Sequence, residues 1–363
     1  MKKKMTALIL AAALGLTLLS GCDGSGGENS GPSDLSSDPA SSEPAKVVIN
    51  PLTGEDGFNP DAVGKRPVAV MVSNIKDSLP QWGISEADLV YEAVTEGGIT
   101  RLMCMYADPD AVPKVGPVRS VREYYPQFSE PFHALFVHFG GSTTGYDALS
   151  EYKIEDIDGM AFSGTAFLQD QGKVSSGISR EHTFYTSTEL LEPAISKKGF
   201  SMSHSCPSAF HFVEPGETAA LSDGSADRAT VRFSGYTTAV FEYDQSSGKY
   251  LKSQYGQAHI DANNQQQVAV DNVVILYAPT SKIGDTYLTR YDLTSGEGYY
   301  LSKGKVQELN WSKGTYNAMF KLTDSEGGAV SFNPGKTWVC VVPNDQKGST
   351  VLEDTQAASS PAE

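Results

Sequence analysis

The sequence predicts an α+β protein, with an N-terminal α/β domain that has a mixed sheet and a mostly antiparallel all-β domain of sandwich or barrel type. Before Glu214, apolar runs alternate with helix-like stretches, whereas after Ser222 short strand-like runs are separated by Gly, Ser, Asp and Asn. About 300 residues lie between two polar ends, which suits two domains. The predicted boundaries are 1–21 (lipoprotein signal peptide), 22–46 (lipidated cysteine and disordered tether), 47–214 (α/β domain), 215–343 (all-β domain) and 344–363 (disordered tail).

The N-terminus, MKKKMTALILAAALGLTLLSGC, has the layout of a secretory signal peptide: three lysines, an apolar run and small residues. The run is too short to span a hydrocarbon core, which needs roughly 20 apolar residues. Leu-Ser-Gly precedes Cys22 as in the bacterial lipobox, so we predict a lipid on Cys22; the alternative is a cleaved leader with an incidental cysteine. A diacylglycerol anchors stably because it carries two chains. We therefore expect an extracytoplasmic protein anchored to the outer face of the cell membrane.

The chain is strongly acidic, with 28 Lys and Arg against 44 Asp and Glu and a net charge of −16. Nucleic acid is excluded as a partner, because its binding depends on phosphate neutralisation by basic residues. An anionic leaflet would also repel the protein, so the predicted lipid must hold it there. Residues 23–45 are mainly Gly, Ser, Pro and acidic residues and bury too little to order themselves, and the last residues are similar.

Within the α/β domain, several elements have clear local signals. VAVMVSN and ALFVHF read as strands, and residues 88–96 and 99–107 read as a hairpin across Gly97-Gly98. Thr143-Thr144 can cap the helix pattern GYDALSEY, and the pattern ELLEPAISKKG ends at Gly199 behind two lysines. Cys104 and Cys340 lie in apolar runs and are predicted to be buried thiols, whereas the disulfide state of these two and of Cys206 stays open.

The stretch KVGPVRSVREYY, residues 114–125, is the main candidate for chemistry. Pro117 fits the first position of a helix, and no breaker follows until Pro126. In a helix, Arg119 and Arg122 would share a face. The free amides at the helix N-terminus would then form, with Arg119, a site for phosphate or carboxylate.

Other groups extend this prediction to an arginine cluster that binds an anionic ligand. The predicted ligand-binding residues are Arg101, Arg119, Arg122, Arg180 and His182. The turn HFGGS, between a strand and a helix, is a second place where backbone amides could receive an anion. The alternative is that the arginines pair with the domain's own acids, such as Glu92, Glu96 or Glu123, because arginine serves both uses equally well.

Signatures of other chemistry are missing from the sequence. The six histidines lack metal-ligand spacing, so no metal and no cofactor is predicted, and no serine hydrolase motif occurs. Catalytic residues stay unknown. Aromatic residues of the all-β segment, among them Tyr250, Tyr255 and Trp311, could form a sugar-binding face or, alternatively, cross-strand pairs.

These motifs resemble a known family. RPVAVMVSN, ADLVYEAVTEGGITR, KVGPVRSVREYY, ALFVHFGGS, DIDGMAF and HTFYTS, in this order, resemble the YerB-like lipoproteins, and GEGYYLSKGKVQELNWSKG and NPGKTWVCVV resemble that family's C-terminal domain. The resemblance covers nearly all of residues 47–343 and implies two domains of unknown function. Where the family has His-Asn before a tyrosine, this chain has His182-Thr183-Phe184-Tyr185. This departure puts in doubt any role that rests on an amide there.

Three hypotheses of function follow. The first is a lipid-anchored envelope protein that binds an anionic ligand or a cell-wall glycan through the arginines. The second is a transferase or hydrolase on phosphate-linked wall polymers, since the arginines are similar in placement to those with which LytR-CpsA-Psr proteins hold a polyprenyl pyrophosphate. The third is a scaffold for other envelope proteins.

Overall fold

The structure, a computed structural model, describes residues 47–355. The predicted signal peptide, Cys22, the tether and residues 356–363 lie outside the described residues. The helices are α1 (Pro126–Ser129), α2 (Thr143–Glu151), α3 (Gly159–Phe162), α4 (Gln171–Ser175) and α5 (Thr188–Lys198). Short 3-10 helices occur at Pro60–Ala62, Lys76–Ser78, Glu96–Gly98, Pro109–Ala111, Glu130–Phe132, Arg180–His182 and Asn344–Ser349.

The strands fall into two groups along the chain. The N-terminal strands are β1 (Val68–Ser73), β2 (Leu89–Val94), β3 (Thr100–Tyr106), β4 (Leu135–His138), β5 (Asp156–Asp158), β6 (Leu168–Gln169), β7 (Phe184–Tyr185) and β8 (His211–Phe212). The C-terminal strands are β9 (Arg228–Arg232), β10 (Thr238–Asp244), β11 (Lys249–Gln254), β12 (Gln257–Ala258), β13 (Ala269–Val270), β14 (Asn272–Ala278), β15 (Thr280–Lys282), β16 (Thr289–Tyr291), β17 (Ser295–Ser302), β18 (Lys305–Ser312), β19 (Lys321–Thr323), β20 (Ser331–Phe332), β21 (Thr337–Pro343) and β22 (Val351–Glu353).

A ten-stranded mixed sheet joins strands from both segments of the chain. Its order is β19-β18-β17-β14-β21-β2-β3-β1-β4-β5. The N-terminal part contains parallel and antiparallel pairs and the C-terminal part is mostly antiparallel, which confirms the predicted α+β class. Strand β21 lies parallel to both β14 and β2, so Glu92 is in register with Cys340. Strands from both sides of the predicted boundary at 214 therefore belong to the same sheet.

A six-stranded sheet packs against this central sheet through a buried polar cluster. It contains β12, β11, β10, β9 and β22, with β13 beside β11. Lys252 of this sheet is fully buried, and its Nζ lies 3.6 Å from Glu92 Oε2, also fully buried, in the central sheet. Trp338 Nε1 donates to the same oxygen at 3.0 Å. Since burying unpaired charge is costly, this pairing lets two polar side chains lie in the core.

Several local predictions are confirmed. Strands β2 and β3 form the predicted hairpin, and Gly97 and Gly98 adopt φ of 68° and 77°, which glycine tolerates best. Helix α5 ends at Gly199, with φ of 71°. Helix α2 forms as predicted, but Ser142 caps it, because its side chain accepts from Gly145 N. Cys104 and Cys340 are free and fully buried, and burial raises the pKa of both thiols.

Part of the predicted disordered tail is ordered. Residues Asn344–Ser349 form a 3-10 helix, and β22 pairs antiparallel with β9 at the edge of the six-stranded sheet. Thr355 also donates to Asp227, from its backbone at 2.8 Å and its hydroxyl at 2.7 Å. The prediction is wrong for these residues because a polar segment needs no core of its own when a neighbouring strand supplies its hydrogen bonds.

The aromatic residues of the C-terminal strands pack mostly within the protein. Tyr250 and Trp311 are 0% and 2% exposed. Tyr236 is 48% exposed but forms an edge-to-face pair with Tyr255, with ring centroids 5.7 Å apart. This arrangement favours the cross-strand alternative over a sugar-binding face.

Candidate functional site

The stretch that contains Arg119 and Arg122 is extended, and the predicted helix from Pro117 is wrong. Arg119 N donates to Met71 O at 2.9 Å, and Phe139 N donates to Arg119 O at 3.0 Å, so the segment runs between the ends of β1 and β4. Its valines, Val115, Val118 and Val121, are at most 1% exposed. Hydrogen bonds to neighbouring strands thus replace the helical ones, and the apolar, β-branched side chains fill the core.

A cleft of about 480 Å³ opens where this segment passes the carboxyl end of β4. Its volume lies in the range of small-molecule sites, about 300–1,000 Å³. The lining residues come from three parts of the chain: Val118, Arg119, Phe139, Ser179, Arg180, Glu181 and Phe184. Of the five predicted ligand-binding residues, the structure brings Arg119 and Arg180 together here.

Arg119 reaches the cleft with one weak partner. Its Nη1 lies 3.3 Å from a carboxylate oxygen of Glu181 and 3.4 Å from the backbone oxygen of the same residue. The Glu181 side chain is 58% exposed, and exposed ion pairs are worth about 0–1 kcal/mol. An incoming anion can therefore displace this carboxylate at low cost.

Arg180 is exposed and forms no ion pair with any residue in the described range. Its guanidinium lies over the ring of Phe184, 5.3 Å from the ring centroid, as in a cation–π contact. This contact orients the side chain without neutralising its charge. Arg119 and Arg180 together outnumber Glu181, so the cleft is net positive in an acidic protein.

Arg101 and Arg122 meet at a different feature, the carboxylate of Glu96 in the turn of the β2–β3 hairpin. Arg122 makes a bidentate contact with Glu96, and Arg101 Nη2 lies 3.6 Å from the same carboxylate. Burial alone would raise the pKa of Glu96, but hydrogen bonds from Arg122 and the charges of both arginines lower it from 4.5 to about 2. Arg101 and Arg122 thus already hold a carboxylate of the protein, as the alternative to ligand binding requires.

His182 is buried and does not line the cleft. Burial and the positive charge of Arg119 lower its pKa below the ordinary value of 6.5, which favours the neutral ring. Nε2 lies 3.4 Å from Glu181, and Nδ1 has no hydrogen-bond partner among the residues described. His182 thus adds no positive charge to the cleft.

The Gly-rich turn after β4 already holds a carboxylate of the protein. Asp158 Oδ1 accepts from Gly140 N at 2.8 Å and from Met160 N at 2.9 Å. Its other oxygen accepts from the Tyr146 hydroxyl at 2.8 Å. The carboxylate of Asp158 therefore already occupies the place where a second anion was predicted to bind.

Sequence reasoning missed the apolar floor and the carboxylate of the cleft. Phe139 ends the predicted strand ALFVHF and Phe184 belongs to the motif HTFYTS, but no local sequence signal indicates that the two rings are in contact. Glu181 stands directly beside Arg180 in ISREHTF, which was the available signal. In the range 47–355, no group of three or more His, Cys, Asp and Glu is placed to hold a metal ion.

A second cleft, of about 630 Å³, has the opposite charge. Its acidic residues are Glu55, Asp56, Glu86, Asp88 and Asp108. Burial raises the pKa of Asp88, which accepts from Asn50 at 3.0 Å and from Ala107 N at 2.7 Å. Although larger, this cleft repels anions, so the cleft at Arg119 is the better candidate for an anionic ligand.

No helix within the described residues is long and apolar enough to cross a membrane.

Comparisons with known proteins assign the chain to a family. Residues 52–201 match the family model described as protein of unknown function (DUF3048) N-terminal domain, and residues 229–339 match its C-terminal domain. The chain is 30% identical over 305 residues to "Putative lipoprotein YerB" of Bacillus subtilis (strain 168), which covers 83% of this chain and 88% of that protein. The crystal structure of YerB protein from Bacillus subtilis has a TM-score of 0.74 and 28% identity, covering 85% of this chain and 100% of the solved chain. The chain therefore belongs to the YerB-like family, which combines the two DUF3048 domains.

Proposed function

We propose that the protein is a lipid-anchored lipoprotein of the cell envelope that binds an anionic wall component in the cleft at Arg119 and Arg180. The observation that carries this proposal is a net positive cleft in a chain of net charge −16. Guanidinium groups suit phosphate and carboxylate because of their planar donors. Lipidation of Cys22 would keep this cleft near the outer face of the membrane, where the phosphate-linked polymers of the wall lie.

The sedimentation of the full-length protein with isolated Bacillus subtilis walls tests this proposal. One wall sample keeps its phosphate-linked polymers and the other is stripped of them with acid. We expect retention on the intact walls only, decreasing as salt rises because exposed charges are screened over about 8–10 Å. The double variant Arg119→Gln/Arg180→Gln should lose at least about tenfold in affinity, since each charge-assisted hydrogen bond is worth roughly 1.5–3 kcal/mol.

Arg232→Gln serves as the matched control, because Arg232 is exposed and its Nε donates to Ser234 O, away from the cleft. Equal melting temperatures of the three proteins would show that binding, not folding, is compared. Equal retention of the double variant and the control would refute the proposal. Release of phosphate or polymer from the walls would instead support a transferase or hydrolase, and capture of a stable protein partner would support a scaffold.

A further inference from the structure

The floor of the cleft at Arg119 is apolar and largely aromatic. Phe139 and Phe184 lie with ring centroids 4.4 Å apart and their planes inclined by 34°. Phe184 is 5% exposed and Val118 is 1% exposed, whereas Phe139 is only partly buried. A ligand in the cleft therefore meets the partly exposed ring of Phe139 below the charged groups.

The charged groups lie on the rim of this floor. Arg180 is exposed and its guanidinium stands over Phe184, and Arg119 is 20% exposed beside Glu181. The cleft is much larger than an inorganic phosphate needs, at about 480 Å³. A small inorganic anion held by the arginines would leave the aromatic floor in contact with water.

We propose that the ligand of this cleft is an amphiphilic anion, in which a charged phosphate, sulfonate or carboxylate group is joined to a ring with an apolar face, such as a sugar ring of a phosphate-linked polymer. The ring would cover Phe139 while the charged group contacts Arg119 and Arg180. Burial of the apolar face of that ring against Phe139 then adds to the charge attraction. This inference rests on the proposed function, because it assumes that the two arginines bind an anion.

Titration of the full-length protein by calorimetry with three probes tests the inference. The probes are 1-naphthalenesulfonate, inorganic sulfate and the neutral 1-naphthalenemethanol. We expect 1-naphthalenesulfonate to bind at least about tenfold more tightly than either of the others, because burial of one aromatic face adds to the charge attraction. Phe139→Leu should weaken the naphthalenesulfonate several-fold and leave sulfate unchanged, and Arg119→Gln/Arg180→Gln should abolish binding of both anions. Arg232→Gln should bind like the wild type.

Each other outcome overturns a defined part of the reasoning. If sulfate binds as tightly as the naphthalenesulfonate, the amphiphilic ligand is refuted and the anion site stands. If neither anion binds, or if the arginine double variant binds unchanged, the proposed function falls as well. If the neutral alcohol binds as tightly as the sulfonate, charge has no role and both proposals fail. If the Phe139→Leu protein melts early, the comparison of 1-naphthalenesulfonate with sulfate on the wild type decides the inference, and equal affinities refute it.

Discussion

The buried pair of Lys252 and Glu92 gives the sharpest test of what holds the two sheets together. Lys252 Nζ donates to Gln254 Oε1 at 2.5 Å and lies 3.0 Å from His259 Nδ1. It is also 4.7 Å from the ring centroid of Trp338. The change Lys252→Met keeps a long, unbranched side chain but removes the ammonium group and its polar contacts. Glu92 then keeps its hydrogen bonds from Asn74 and Thr100 but loses its cation.

We expect Lys252→Met to lower the free energy of unfolding by about 3–5 kcal/mol, because removing one partner of a buried pair leaves an uncompensated charge. Urea unfolding with an unchanged m value measures the loss. Lys249→Met is the matched control on the same strand, since Lys249 is 35% exposed and pairs with Asp271 at 2.8 Å. Exposed pairs contribute about 0–1 kcal/mol, so the control should change little.

The second variant Lys252→Met/Glu92→Gln should recover part of the loss, because the buried charge is gone while an acceptor remains for Asn74. Equal losses for Lys252→Met and Lys249→Met would refute the reasoning. The two sheets would then be held by apolar packing alone. A change in m value would show that the compared states differ, and hydrogen exchange of the β11 amides would then replace the urea measurement.

Three further predictions concern the hairpin turn, the cleft and the C-terminal segment. Because the pKa of Glu96 is lowered from 4.5 to about 2, the unfolded chain binds more protons than the folded one between these pH values. The free energy of unfolding should therefore fall as the pH drops through this window. It should fall less in Arg122→Gln, and acid titration of unfolding measures the difference. Gly159→Ala would place a Cβ 2.2 Å from the Phe139 ring, so it should cost about 1–3 kcal/mol and weaken 1-naphthalenesulfonate binding. Gly235→Ala, which meets open space without a positive φ, should change neither the melting temperature nor the affinity. Deleting residues 350–363 removes β22, so the β9 amides should exchange with deuterium faster while the β10–β11 pairing stays protected.

The local signals of the sequence determined the elements that depend on short-range geometry. Gly97-Gly98 between two apolar runs was sufficient for the β2–β3 hairpin, because few other residues adopt positive φ there. Gly199 behind two lysines marked the end of α5 for the same reason. The burial of Cys104 and Cys340 followed from the apolar runs around them. These features require no knowledge of distant segments.

The tertiary structure alone decided which partner each arginine meets. Arg122 reaches Glu96, and Arg119 reaches Glu181, from segments 26 and 62 residues away along the chain. The helix predicted at Pro117 does not form, because the backbone groups of this segment are hydrogen-bonded to β1 and to the residue that follows β4 instead. Strand β21 likewise entered the N-terminal sheet through pairing with β2. Local motifs placed arginines near motif ends in an acidic chain, whereas long-range pairing brought Arg101 and Arg122 to the shared carboxylate of Glu96 and left Arg119 and Arg180 facing an open cleft.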